Sequence, residues 1–186
     1  MSDYMLSIEG KVVIVTGGGK GIGRVYCREL AKAGCKIVVA DIDDDANAET
    51  VAEIRDAGGE AITATTDVSN ETATQEMVTK SINAFGRVDG LVNNASLMSV
   101  LERRDWQLIP VDEWDRVQEV NMRGVFLCCK AVYPQMKKQG GGAIINISSG
   151  RFWSGTPNRL HYSTSKAGVI GLTRSLAREI GPDNIT

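Results

Sequence analysis

A doubly wound, parallel α/β sheet is the architecture this sequence predicts, and three observations predict it. Short apolar runs rich in Val and Ile recur along the chain. Each is separated from the next by a stretch with helical patterning, so that strand and helix alternate throughout. The first run is followed at once by a cluster of glycines. Because parallel crossovers are right-handed, the economical strand order is 3-2-1-4-5, and a ligand would lie beyond the carboxyl ends of the strands.

The first strand is Lys11 to Thr16 (KVVIVT), a continuous apolar run after a short polar lead. A helix is expected from about Gly21 to Ala33, ended by Gly34. Lys36 to Asp41 (KIVVAD) forms the second strand and leads into a charged helix from about Ala46 to Ala57. Ala61 to Thr66 is the third strand, followed by Asp67 and a helix from about Glu71 to Phe85. Val88 to Val92 and Ala143 to Ser148 (AIINIS) are the fourth and fifth strands. Between them an irregular segment precedes a helix from about Val111 to Lys138, with an interruption expected before Pro134, which lacks the N–H that a helix interior needs. A last helix runs from about Asn158 to Ile180.

With 186 residues, 42% hydrophobic and 24% charged, the chain is long enough for one domain with a sizeable core. The expectation is a single domain over residues 1–186. A formal net charge of −2 gives no sign of a nucleic-acid or anionic-membrane surface. No apolar run reaches the ~18 residues of a membrane span, and the start, MSDYMLSIEG, lacks the regions of a signal peptide. Cys27, Cys35, Cys128 and Cys129 form no CxxC pair and no metal-ligand spacing. Buried free thiols suit a reducing compartment, and a cytoplasmic location without a metal is expected.

The loop Thr16-Gly17-Gly18-Gly19-Lys20-Gly21-Ile22-Gly23 departs from G-x-G-x-x-G but fits G-x-x-x-G-x-G through Gly17, Gly21 and Gly23. Between a strand and a helix, such a loop offers a tight turn, close backbone approach to a pyrophosphate and a helix N-terminus aimed at its charge. Asp41 ends the second strand, eighteen residues after Gly23. A carboxylate there can accept both hydroxyls of an adenine ribose and repels a 2′-phosphate, which favours NAD over NADP. Lys20 points the other way if it pairs with a 2′-phosphate, and is otherwise a solvated lysine. Asp67 can bond an adenine amino group or cap the turn that follows it.

With TGGGKGIG (Thr16 to Gly23), Asp67-Val68, Asn93-Asn94-Ala95, Asn121, Ser149 and YSTSK (Tyr162 to Lys166) in this order, the chain resembles the short-chain dehydrogenase/reductase family over nearly its whole length. The resemblance implies a Rossmann-type fold, a nicotinamide cofactor, alcohol–carbonyl interconversion and a catalytic set of Asn121, Ser149, Tyr162 and Lys166. It also implies cofactor contacts from Gly17, Gly19, Lys20, Gly21, Ile22, Gly23, Asp41, Ile42, Asp67, Val68, Asn94, Ala95 and Ser96, together with Tyr162 and Lys166. Ser149 is chosen over Ser148 because it lies thirteen residues before Tyr162, the family's usual interval. Two features depart from the family pattern. Ser96 stands where glycine is familiar, and the chain stops at Thr186 where family members enter a sixth strand. A truncated chain is therefore expected, lacking the C-terminal strands and the substrate loop.

The chemistry explains the residue types. Removing a hydride from an alcohol carbon leaves a proton on oxygen for the protein to manage. A phenol of ordinary pKa, ~10, is a poor base near neutrality, and bringing it down by about three units requires roughly 4 kcal/mol of phenolate stabilisation. Tyr162 and Lys166, at i and i+4, share one helix face, so the ammonium can supply part of it. By resemblance, Lys166 also holds the nicotinamide ribose, Ser149 orients the reacting oxygen and Asn121 fixes a water beyond Lys166. His161 is given no proton-transfer role.

Trp106, Phe152 and Trp153 are candidates to line an apolar site for a bulky or aromatic alcohol or ketone. Core packing is the competing account for Phe152 and Trp153, and is favoured for Trp114. Arg151 is read as an exposed arginine rather than a carboxylate ligand. Small residues Ser165, Gly168, Gly171 and Ser175 on the last helix permit close helix approach, and the family commonly pairs this helix across a dimer within a tetramer. A homodimer or homotetramer is expected. The competing functional reading is a non-catalytic dinucleotide-binding or assembly protein of the same fold.

Overall fold

The computed structural model describes residues 8–186. Five parallel strands form one sheet in the order β3-β2-β1-β4-β5, as the alternation predicts. They are β1 (Val12–Thr16), β2 (Lys36–Asp41), β3 (Glu60–Thr65), β4 (Gly90–Asn93) and β5 (Ala143–Asn146). Val13 pairs with Ile37 on one side and with Gly90 on the other, which makes β1 the centre of the sheet. The order reverses between β1 and β4, and in open α/β sheets such a switch point opens a crevice at the strand carboxyl ends.

All five residues of β1 are buried because both faces of the sheet are covered. Ile14 packs with Val38, Leu91, Met77 and Val132 on one side. Val15, one residue on and pointing the other way, packs with Ile37, Val39, Cys27 and Ile54. Helices α1 (Gly21–Lys32) and α2 (Asp44–Asp56) contribute to the second layer, and α3 (Glu71–Phe85) to the first. Asp43 caps α2 by accepting from the Ala46 N–H, and Asn70 caps α3 by accepting from the Ala73 N–H.

The long helix after β4 differs from expectation. It consists of α4 (Val111–Gln118), a π-helical turn over Glu119–Arg123, and α5 (Gly124–Lys138). Pro134 lies within α5 and does not interrupt it. Lys130 and Pro134 are both exposed, so water can satisfy the carbonyl that proline leaves without a partner. The irregularity falls at Asn121 instead. A short helix α6 (Arg151–Ser154), absent from the sequence reading, precedes α7 (Leu160–Ile180). At the far edge, Ile185 bridges Gly142 in parallel and Ile144 N–H donates to Thr186 O at 2.7 Å, so this segment lies along β5.

Candidate functional site

At the carboxyl ends of β1 and β4 the glycine loop is locked in place. Gly17 sits at φ +64°, and a Cβ there would lie 2.9 Å from the Ala95 Cα. A Cβ on Gly23 would fall 1.9 Å from the Gly17 carbonyl oxygen, so the first turn of α1 folds directly onto the loop and tolerates no side chain. Asn94 clamps this arrangement: its Nδ2 donates to Thr16 O at 3.0 Å and Gly17 O at 3.2 Å. Thr16 Oγ1 accepts from the N–H groups of Asn94 and Ala95, both at 3.1 Å.

α1 begins at Gly21 with no side-chain cap and no acidic residue in its first turn. Its leading N–H groups and the positive end of its dipole are therefore left for an anion. This fits a pyrophosphate. Asp41 accepts from Gly19 N–H at 3.1 Å and from Asp43 N–H at 3.2 Å, one bond on each oxygen. A carboxylate has about four acceptor positions, so lone pairs remain for ribose hydroxyls. Lys20 is an exposed lysine whose ammonium pairs with Asp43. Asp67 Oδ1 accepts from the N–H and hydroxyl of Ser69, while Oδ2 accepts from Arg116 at 3.3 Å. Burial opposes its ionisation, but Ser69 and Arg116 outweigh that and hold the carboxyl below its ordinary range. Turn capping is thus the account of Asp67 that the geometry provides.

A cleft of about 520 Å³ joins these parts to α7. Gly17, Gly21, Asp41 and Ile42 line one region, and Asn94 to Ser96, Tyr162 and Lys166 another. Lys20, Ile22, Gly23, Asp67 and Val68 also line it, whereas Gly19, Asn121 and Ser149 do not. A Cβ on Gly19 would meet Ala46 at 2.9 Å, which makes this glycine a packing position against α2. Ser96 Oγ is buried without a hydrogen-bond partner.

Tyr162 is 7% exposed and Lys166 2% exposed. Lys166 Nζ donates to Ile147 O at 2.8 Å and lies 5.9 Å from the centre of the Tyr162 ring. Burial lowers the Lys166 pKa from 10.5 to about 8. Tyr162 and Lys166, one helical turn apart, both open onto the cleft. Ser148 Oγ donates to Lys166 O at 2.8 Å and so ties β5 to α7. Ser149 Oγ only accepts, from Arg151 N–H at 3.3 Å, which leaves its own hydrogen uncommitted. Asn121 is fully buried, and its amide bonds Leu97 and Ser165. Its side chain is thereby occupied with protein partners.

His161 is buried beside Glu113, with Nε2 3.2 Å from Oε1, and does not line the cleft. Burial is the main reason its pKa lies below the ordinary value. The aromatic residues Trp106, Phe152 and Trp153 do not line the cleft. Trp106, Arg151 and Phe152 line a separate cavity with Ser163 and Thr164, on a face of α7 turned away from Tyr162. Trp153 is 79% exposed and packs on Phe152 with ring centres 4.8 Å apart, so neither is a core residue. Arg151 is engaged with the backbone, donating to Pro157 O at 3.0 Å. The small-residue stripe on α7 also divides. Ser165 is buried, and a Cβ on Gly168 would meet Met122 at 2.5 Å, so both face the chain's own π turn. Gly171 and Ser175 remain exposed.

Among the described residues no helix is long and apolar enough to cross a membrane. The family model for short chain dehydrogenases matches residues 11–186. An uncharacterized oxidoreductase of Thermotoga maritima is 43% identical over 173 residues, covering 91% of this chain and 65% of the relative. The chain therefore spans somewhat under two thirds of that relative's length. The crystal structure of NAD+-bound xylitol dehydrogenase superposes with a TM-score of 0.91 at 36% identity, covering 96% of this chain and 68% of the other. The solved structure of 7α-hydroxysteroid dehydrogenase complexed with NADH and 7-oxo glycochenodeoxycholic acid gives 0.92 at 34% identity, covering 100% of this chain and 71% of the other. By sequence and by fold alike, the chain belongs to the short-chain dehydrogenase family.

Proposed function

We propose that the chain is the dinucleotide-binding and proton-handling part of an NAD(H)-dependent oxidoreductase that interconverts a secondary alcohol and a ketone. The observation that carries this reading is a single cleft lined both by the glycine loop with Asp41 and by Tyr162 with Lys166. Bound there, the nicotinamide would supply or accept the hydride. Gly17, Gly21 and Gly23 let the backbone and the α1 N-terminus meet the pyrophosphate, with Gly19, Lys20 and Ile22 in the same loop. Asp41 takes the adenine ribose hydroxyls, Ile42, Asp67 and Val68 flank the adenine, and Asn94, Ala95 and Ser96 border the nicotinamide ribose.

Tyr162 is the general acid/base, and Lys166 favours its phenolate and holds the ribose. Ser149 offers its uncommitted hydroxyl to the reacting oxygen. Asn121, whose amide is bonded to Leu97 and Ser165, supports the cleft wall from behind. NAD is preferred because Asp41 would repel a 2′-phosphate and Lys20 is already paired with Asp43. The NAD+ and NADH named for the two structural relatives support the same choice. The protein acts as a homo-oligomer, with exposed Gly171 and Ser175 on α7 at the contact between copies.

A spectrophotometric screen of secondary alcohols with NAD and NADP, and of ketones with NADH and NADPH, tests the proposal in the complete protein. Turnover with a strong preference for the NAD pair is expected. Absence of both turnover and saturable NADH binding would leave an assembly role and refute the enzyme reading.

A further inference from the structure

The segment after β4 runs through the cleft wall without a strand partner, yet it is held at two points. Thr16 Oγ1 accepts from the N–H groups of Asn94 and Ala95, and Asn121 takes both backbone groups of Leu97. Asn121 Oδ1 accepts from Leu97 N–H at 2.8 Å, and Nδ2 donates to Leu97 O at 3.2 Å. This grip works in one orientation of the amide only. Turned over, the side chain would set Nδ2 against the Leu97 N–H and Oδ1 against its carbonyl.

Ser165 reinforces the working orientation. Its hydroxyl hydrogen is committed to Tyr162 O at 2.7 Å, so toward Asn121 it presents a lone pair and accepts from Nδ2 at 3.1 Å. Asn121 and Ser165 are both fully buried, and water cannot substitute for either partner. The π turn brings Asn121 to this meeting point, seated against α7 where Gly168 leaves room for Met122.

We infer that Ser165 is a positioning residue: through the polarity of its hydroxyl it orients Asn121, and through Asn121 it fixes Leu97 in the cleft wall beside Ala95 and Ser96. Its purpose rests on the dinucleotide-cleft reading above. It joins the helix that carries Tyr162 and Lys166 to the segment facing them, so the two sides of the cleft keep a set separation.

Hydrogen exchange on the full chain tests this, read at the Leu97 amide in the unsubstituted protein, Ser165→Ala, Asn121→Ala and the double variant. In Ser165→Ala the Leu97 amide should exchange roughly five- to thirty-fold faster, as expected for loss of a buried hydrogen bond. Amides of β1 to β3 should be unchanged. In the Asn121→Ala background the same substitution should add nothing at Leu97. An unchanged Leu97 rate in Ser165→Ala, a uniform rise across β1 to β3, or an equal effect in both backgrounds would overturn the inference. Should Ser165→Ala fail to fold, Ser165→Thr keeps the hydroxyl and must preserve the slow Leu97 exchange; a fast amide in that folded variant contradicts it. Exchange needs no dinucleotide and decides Ser165 alone, while NADH titration of the unsubstituted chain decides the reading beneath it.

Discussion

Burying Lys166 takes an ammonium out of water, with the Ile147 carbonyl as its hydrogen-bond acceptor. The fall in its pKa from 10.5 to about 8 corresponds to about 3 kcal/mol against folding when the group is charged. That penalty is full below pH 8, shrinks as pH rises from 8 toward 10.5, and vanishes above, because over this window the unfolded chain binds the extra proton. Lys166→Met should therefore raise the thermal midpoint at pH 7, with a gain that diminishes toward pH 10. A midpoint lowered at pH 7 would contradict this account. At Asp41, two loop hydrogen bonds and the proposed ribose contacts fall on one carboxylate. Asp41→Asn keeps acceptor capacity while removing the charge that repels a 2′-phosphate. It should shift the NADPH-to-NADH dissociation-constant ratio roughly tenfold toward NADPH. Fluorescence titration with both nucleotides measures this ratio.

Among the elements, the join of β1 to α1 is the least forgiving. A methyl group at Gly23 would meet a backbone oxygen rather than a flexible side chain, so Gly23→Ala should cost about 3 kcal/mol or more. Urea denaturation would show this as a lowered midpoint, accompanied by loss of NADH binding; a near-neutral substitution would mean that loop and helix are not locked together. The central strands were legible in sequence because burial on both faces makes each a continuous apolar run, as in KVVIVT and KIVVAD. The π turn was not. Its extra residue answers a tertiary demand, the bonding of Asn121 to Leu97 and Ser165, and no local pattern in EVNMR announces it. Pro134 misled for the opposite reason, since its local cost is met by solvent on an exposed face. Tyr162 and Lys166 were readable from the i, i+4 interval, but the surroundings of Phe152 depend on where α6 places it, which the sequence did not reveal.

In the molecule as a whole, the reversal of strand order between β1 and β4 puts the glycine loop, the 94–97 segment and α7 around one crevice. Polar clamps then hold its walls: Asn94 on the loop, Asn121 on Leu97, and Ser148 on Lys166. The central claim is that this crevice unites cofactor and proton chemistry, with Tyr162 moving the proton. The most direct measurement is the turnover of Tyr162→Phe in the complete protein, on a substrate found by the screen, alongside NADH titration. The account predicts that turnover falls by about a hundredfold or more while the NADH dissociation constant stays within about twofold. Turnover retained at the unsubstituted rate would contradict it.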